Sequence, residues 1–92
     1  MEHLNAAVNR TMELAKRVFS ESNHEDICQW LESHGWRWLG GRWASLEFHN
    51  FCCTFSMRKA VELEIFRQLL AVNNIQGFAV MNWLVLRRRI AK

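Results

Sequence analysis

The chain reads as a small α+β protein: two N-terminal helices, a β-hairpin, a long core helix and a short C-terminal strand, with an all-α arrangement as the alternative. Three observations point there. Apolar residues recur at steps of three and four up to Phe19 and again between Ser56 and Val72, the spacing of one helix face. The pair Gly40-Gly41 sits between aromatic-rich flanks, as a hairpin turn does. The run from Phe78 to Leu86 is apolar and rich in β-formers. Packing helices on one face of a small sheet buries such elements together.

The first element, Glu2 to Phe19, carries Leu4, Val8, Thr11, Ala15 and Val18 on one stripe. Asn5, Asn9, Arg10 and Lys16 lie off it, and Glu13 precedes Arg17 by four residues, the favourable order for a helical ion pair. The second, residues 23–34, opens with Ser22-Asn23-His24-Glu25, a capping box in which the Ser22 hydroxyl takes an orphan amide and Glu25 reaches back. Glu25 and Asp26 suit the positive end of the helix dipole. Ile27, Trp30, Leu31 and His34 form its apolar stripe, and Gly35 supplies a left-handed stop.

The hairpin places Trp38 opposite Trp43, and Leu39 opposite Arg42 on the other face. Its second strand extends as far as Phe48. An alternative makes Trp43 to Phe55 helical. The fourth element, Ser56 to Val72, has Val61, Ile65, Leu69 and Val72 on one face and Leu63, Phe66 and Leu70 on a second, so it is the core helix. Asn73-Asn74 ends it with residues that tolerate a left-handed backbone. The closing run, Phe78 to Leu86, reads as a strand, although periodicity also fits a helix.

Ninety-two residues make one domain, 1–92. Half of them are apolar, more than a small monomeric core readily absorbs, which favours a homo-oligomer. The net charge of +3 comes from the end of the chain: Arg87, Arg88, Arg89 and Lys92 supply four positive charges, and the other 8 basic residues face 9 acidic ones. A body that is nearly neutral argues against nucleic-acid binding through the body and leaves at most a weak contact through the basic tail. Cys28, Cys52 and Cys53 form a poor disulfide framework, being odd in number with two adjacent. No signal peptide is expected after Glu2 and His3, and no apolar run approaches the ~20 residues that span a bilayer. A reducing cytoplasm suits this chain.

Chemistry-bearing patterns are sparse. His24, Cys28, His34, His49, Cys52 and Cys53 are the possible metal ligands, but no C-x-x-C pair exists, and core packing of the cysteines is the better reading, so neither metal nor cofactor is expected. His49 near Cys52 and Cys53 lacks the third, orienting group of a nucleophilic site. Gly40-Gly41 has neither the spacing nor the lysine of a phosphate loop. An enzyme is therefore not expected. Trp30, Trp36, Trp38 and Trp43 fall within fourteen residues, interleaved with Arg37 and Arg42. Tryptophan and arginine dominate interface hot spots, and in small sheets tryptophan also fills cores. At least two of these indoles are expected in the core and one or two exposed. Trp38 and Trp43 together are taken as core, and the opposite face as the contact.

These features predict a small protein-binding regulator or inhibitor, homo-oligomeric, with Trp36, Arg37, Leu39, Arg42 and the tail residues Arg87, Arg88 and Arg89 at the partner surface. Small inhibitors and antirepressors of temperate phages share this general look, a short cytoplasmic chain without motifs, though no residue pattern carries the likeness. The alternative is a small DNA-binding transcriptional regulator. Two helices followed by a hairpin with Arg37 and Arg42 superficially suggest a winged helix, but the second helix carries Glu25, Asp26 and Glu32 where a recognition helix meets phosphate.

Overall fold

A computed structural model of the chain describes residues 2–48, 53–75 and 83–90. Its elements are α1 (Glu2–Glu21), α2 (His24–Ser33), β1 (Trp36–Leu39), β2 (Arg42–Ser45), α3 (Met57–Val72) and α4 (Trp83–Ile90). Helices joined to a two-stranded antiparallel hairpin make this an α+β fold. Among the described residues, no helix is long and apolar enough to cross a membrane.

Helix α1 lies along α3 and buries Leu4, Val8, Thr11 and Ala15 of the expected stripe together with Ala7, while Val18, the last member of that stripe, is only partly buried. The buried Thr11 hydroxyl donates to the Ala7 carbonyl at 2.7 Å, so no polar group is stranded there. Glu13 pairs with Arg10 and Arg17 with Glu21, in place of the expected Glu13–Arg17 pair. The cap of α2 also differs from expectation. Asn23, not Ser22, precedes the helix in an extended conformation, and its side-chain oxygen accepts from the Asp26 amide at 2.8 Å. Both residue types cap well, and here the helix begins one residue later than a Ser22 cap requires. Gly35 ends the segment at φ +90°.

The hairpin has the expected register, Trp38 opposite Trp43 and Leu39 opposite Arg42. Gly40 and Gly41 turn the chain at φ +60° and +109°, a primed turn that residues with a Cβ rarely adopt. The second strand stops at Ser45 instead of running through Phe48, whose amide folds back to the Ser45 carbonyl at 3.1 Å. On its other edge β2 meets Phe55. Trp43 and Phe55 exchange both backbone bonds at 2.8 Å. The Trp43 backbone groups therefore point away from β1, which makes Trp38–Trp43 a non-hydrogen-bonded pair whose side chains approach closely.

Helix α3 is the hub, touching α1, α2 and β2. Ser56 caps it, accepting from the Lys59 amide at 3.2 Å. Ala60, Val61, Leu63, Ile65, Phe66 and Leu70 are buried. Val72, assigned to its apolar face, lies at the end of the helix and is 78% exposed. Asn74 closes the end at φ +56°.

Two glutamates of α3 are buried with these apolar residues. Glu64 accepts the indole N–H of Trp36 at 3.0 Å and the Gln68 amide at 2.8 Å, and it pairs with Arg67. Glu62 accepts the indole N–H of Trp83 at 2.8 Å, with Arg58 and Arg87 at 3.7 and 3.9 Å. A buried carboxylate is tolerable only when its oxygens are met by donors and cations, and both are. The first glutamate ties the hairpin to α3 and the second ties α4 to it.

The closing strand is a correction. Phe78 to Asn82 lie outside the described residues, while Trp83 to Leu86 begin α4. Leucine and arginine are strong helix formers, and the spacing of Trp83 and Leu86 turns both toward the core, where Trp83 meets the Phe66 ring at 4.7 Å. A β-leaning composition yielded here to a helix anchored by one buried indole.

Candidate functional site

His24, Cys28 and Glu32 are each four residues apart on α2, so they form one exposed-side stripe, while Ile27 and Leu31 face the core. The hairpin brings Trp38 and Trp43 up to that stripe. Together these five residues line a cleft of about 300 Å³. Its aromatic wall is the close cross-strand pair, with ring centres 5.3 Å apart and planes at 61°. Trp38 is 53% exposed at the rim and Trp43 is 1% exposed beneath it.

The Trp43 indole N–H is buried and has no hydrogen-bond acceptor among the described residues. Burying an indole without a partner forfeits about 1–3 kcal/mol, and tryptophans in cores usually find one. Trp36, two positions before Trp38, has Glu64. Trp43 is the exception among the described buried side chains. Two other grooves run along α1, one lined by Asn9, Met12, Glu13, Lys16 and Arg17, the other passing Arg10, Leu69 and Asn73. Both are roomier, but neither holds an orphaned buried group, so the α2–hairpin cleft is the better candidate.

The polar side of the cleft is acidic. Cys28 Sγ lies 3.6 Å from His24 Nδ1. Burial pushes the Cys28 thiol above its ordinary ionisation range, and the nearby carboxylates of Glu32 and Glu25 push it further. A thiol held protonated is a poor nucleophile, so a His–Cys contact in this field is not an activated pair. His34 is occupied elsewhere, with Nδ1 at 2.8 Å from the Trp30 carbonyl. Among the described residues, no three of His, Cys, Asp and Glu converge as a metal group. His49 and Cys52 lie outside the described residues.

The residues expected at a partner surface separate into three groups. Arg37, Leu39 and Arg42 are exposed on the hairpin. Arg42 braces the strand, its guanidinium donating to the Thr54 hydroxyl at 3.0 Å and the Thr54 carbonyl at 3.2 Å. Trp36 is no surface residue. It is 2% exposed, stacked on Phe48 at 5.0 Å, edge-on to Phe55 at 6.0 Å, and bonded through its indole N–H to Glu64 of α3. Arg87, Arg88 and Arg89 sit on α4, a separate element. The expectation that Trp38 is core along with Trp43 also fails: Trp38 stands at the rim of the cleft, 53% exposed, whereas Trp43 is covered and its strand is bridged to Phe55.

Sequence reasoning missed the cleft and both buried glutamates. For Glu62 and Glu64 a signal existed: each is flanked by apolar residues on both sides in a broadly apolar helix, so no polar face was left to receive them. For the cleft there was no comparable signal, since its two walls are contributed by segments whose contact depends on packing. No known protein family, curated protein or solved structure matches the chain.

Proposed function

We propose that the chain is a small protein-binding regulator or inhibitor that engages another protein through the hairpin and the adjoining cleft. The observation that carries this reading is a half-exposed tryptophan, Trp38, standing over a buried indole whose N–H lacks an acceptor. Such a site leaves the apolar area of Trp38 in water above a buried ring that already carries an unmet polar cost, and a partner that covers Trp38 gains from burying that area. Leu39, 47% exposed, extends the apolar tip, and Arg37 and Arg42 border it with donors. The hairpin is braced behind by Trp36–Glu64 and by the Trp43–Phe55 bridge, so presenting this surface costs little ordering entropy. The thiols of Cys28 and Cys53 are free, and we place the protein in a reducing compartment, the cytoplasm.

The test is a comparison of Trp38→Ala with the wild type. Binding of a partner protein captured from host extract should weaken by about 2 kcal/mol or more, some thirtyfold, with little change in unfolding free energy. Equal binding by a normally folded Trp38→Ala protein overturns the reading. Nuclease treatment of the extract should leave capture unchanged, and loss of capture on nuclease treatment would instead favour the DNA-binding alternative.

A further inference from the structure

We infer that the occupant of the α2–hairpin cleft is the α4 helix of a second copy of this chain, with Arg88 and Arg89 entering between Trp38 and Glu32. This rests on the reading of the cleft as a protein-binding site and names its partner. The argument begins with charge. The cleft is lined by His24, Cys28, Glu32, Trp38 and Trp43, so its one permanent charge is negative. Glu25 stands close enough to act on Cys28 along with Glu32, and Asp26 is on the same helix. Arg37 and Arg42 border the cleft from the hairpin. Arg42 is held by Thr54, and both alternate away from the Trp38–Trp43 side of the strands. An exposed carboxylate in a cleft with an aromatic wall attracts a guanidinium by ion pairing and by cation–π contact together.

The same chain supplies the complementary element. In α4, Trp83 is buried and Leu86 packs on the core. Val85, Arg88 and Arg89 are spaced three and four apart, so they share one stripe, and all three are exposed. Arg87 turns toward Glu62, whereas Arg88 and Arg89 have no ion pair among the described residues. An exposed valine with two arginines that have no ion pair among the described residues suits an aromatic cleft with one carboxylate, in apolar character and in sign of charge. The charge separation along the chain, with a basic end and a body of net −1, gains a purpose in this arrangement. Because cleft and α4 are different surfaces, the contact is head-to-tail, and each added copy leaves one cleft and one α4 open unless a ring closes.

Light scattering of the purified full chain at rising concentration tests this. The wild type should exceed the mass of one chain at micromolar concentration and fall toward it near 1 M salt, where screening acts within about 3 Å. Glu32→Arg alone and Arg88→Glu/Arg89→Glu alone should each weaken assembly at least tenfold; both alter exposed residues, and circular dichroism checks that each folds. Mixed in equal amounts, the two variants should regain mass, because the basic α4 of the first fits the intact cleft of the second. A wild type that stays a single chain overturns the inference, as does an assembly indifferent to either variant or a mixture that fails to recover. A single-chain wild type whose capture of a foreign protein is lost in Trp38→Ala keeps the binding function and assigns the cleft to that protein instead. A wild type that assembles as expected, with capture of a foreign protein unchanged by Trp38→Ala, removes the hairpin as a surface for other proteins and leaves the self-contact.

Discussion

Trp36 and Trp43 belong to the same hairpin, on paired strands, and are buried to nearly the same degree. One donates its N–H to a carboxylate within the core, and the other donates to nothing. Burial of apolar area accounts for the position of both rings, since each removes a large surface from water. Only the fate of the N–H tells them apart. At Trp36 the polar group is absorbed by Glu64, Gln68 and Arg67 and the region is closed. At Trp43 the N–H has no acceptor among the described residues, and the ring lines the cleft with Trp38, Glu32 and Cys28. Two indoles of equal burial thus mark a structural site and a candidate binding site, and hydrogen-bond satisfaction is what distinguishes them.

The largest effect should come from making the two alike. Glu64→Ala removes the acceptor of Trp36 and leaves its N–H in the condition of Trp43, with a cavity and an uncompensated Arg67 besides. Denaturant unfolding should show a loss of about 3 kcal/mol or more. A loss below about 1 kcal/mol would break the comparison by showing that the bond contributes little.

Phenylalanine substitutions sharpen it. Trp36→Phe and Trp43→Phe delete similar ring volume, but only the first takes a donor from a buried carboxylate oxygen, leaving it the longer Arg67 bond at 3.4 Å, while the second removes an orphan donor. Trp36→Phe should be the more destabilising by about 1–3 kcal/mol. Equal losses in the two melts would mean that volume alone governs both sites.

The second buried carboxylate offers a weaker version of the first. Glu62 holds its cations at 3.7 and 3.9 Å, one of them from the distant α4, where Glu64 draws Arg67 and Gln68 from its own helix. Arg87→Ala should therefore cost under about 1 kcal/mol, and salt should erase the difference from the wild type.

The smallest effect concerns Cys28, in the cleft. Its thiol ionises above the ordinary 9.0 in the folded chain, because of burial first and then of Glu32 and Glu25. The folded state thus holds a proton that the unfolded state releases earlier as pH rises. The stabilisation is complete below the ordinary thiol range and is lost as pH climbs through the raised value. Cys28→Ala should flatten the alkaline decline of stability, and Glu32→Gln should speed alkylation of Cys28 at a pH just below 9. A rate indifferent to Glu32→Gln would place that carboxylate away from the thiol.

The α+β class, the helix stripe from Leu4 to Ala15, the core helix, and the Gly40-Gly41 register with Trp38 opposite Trp43 were legible in the sequence. Each rests on local rules: the periods of helix and strand, and the few residues that accept a positive φ. The competition between Ser22 and Asn23 for one cap, and between strand and helix at Trp83, was too even for local rules to resolve. Tertiary structure decided what depends on distant contacts. It buried Trp36 against Phe48, Phe55 and Glu64, left Trp38 half in water at the rim of the cleft, carried Glu62 and Glu64 inside with tryptophan donors 21 and 28 residues away, and set α2 beside the hairpin to make the cleft. A residue's neighbours along the chain fix its direction from the backbone, but whether that direction meets water, an acceptor or another element is fixed only when the elements pack.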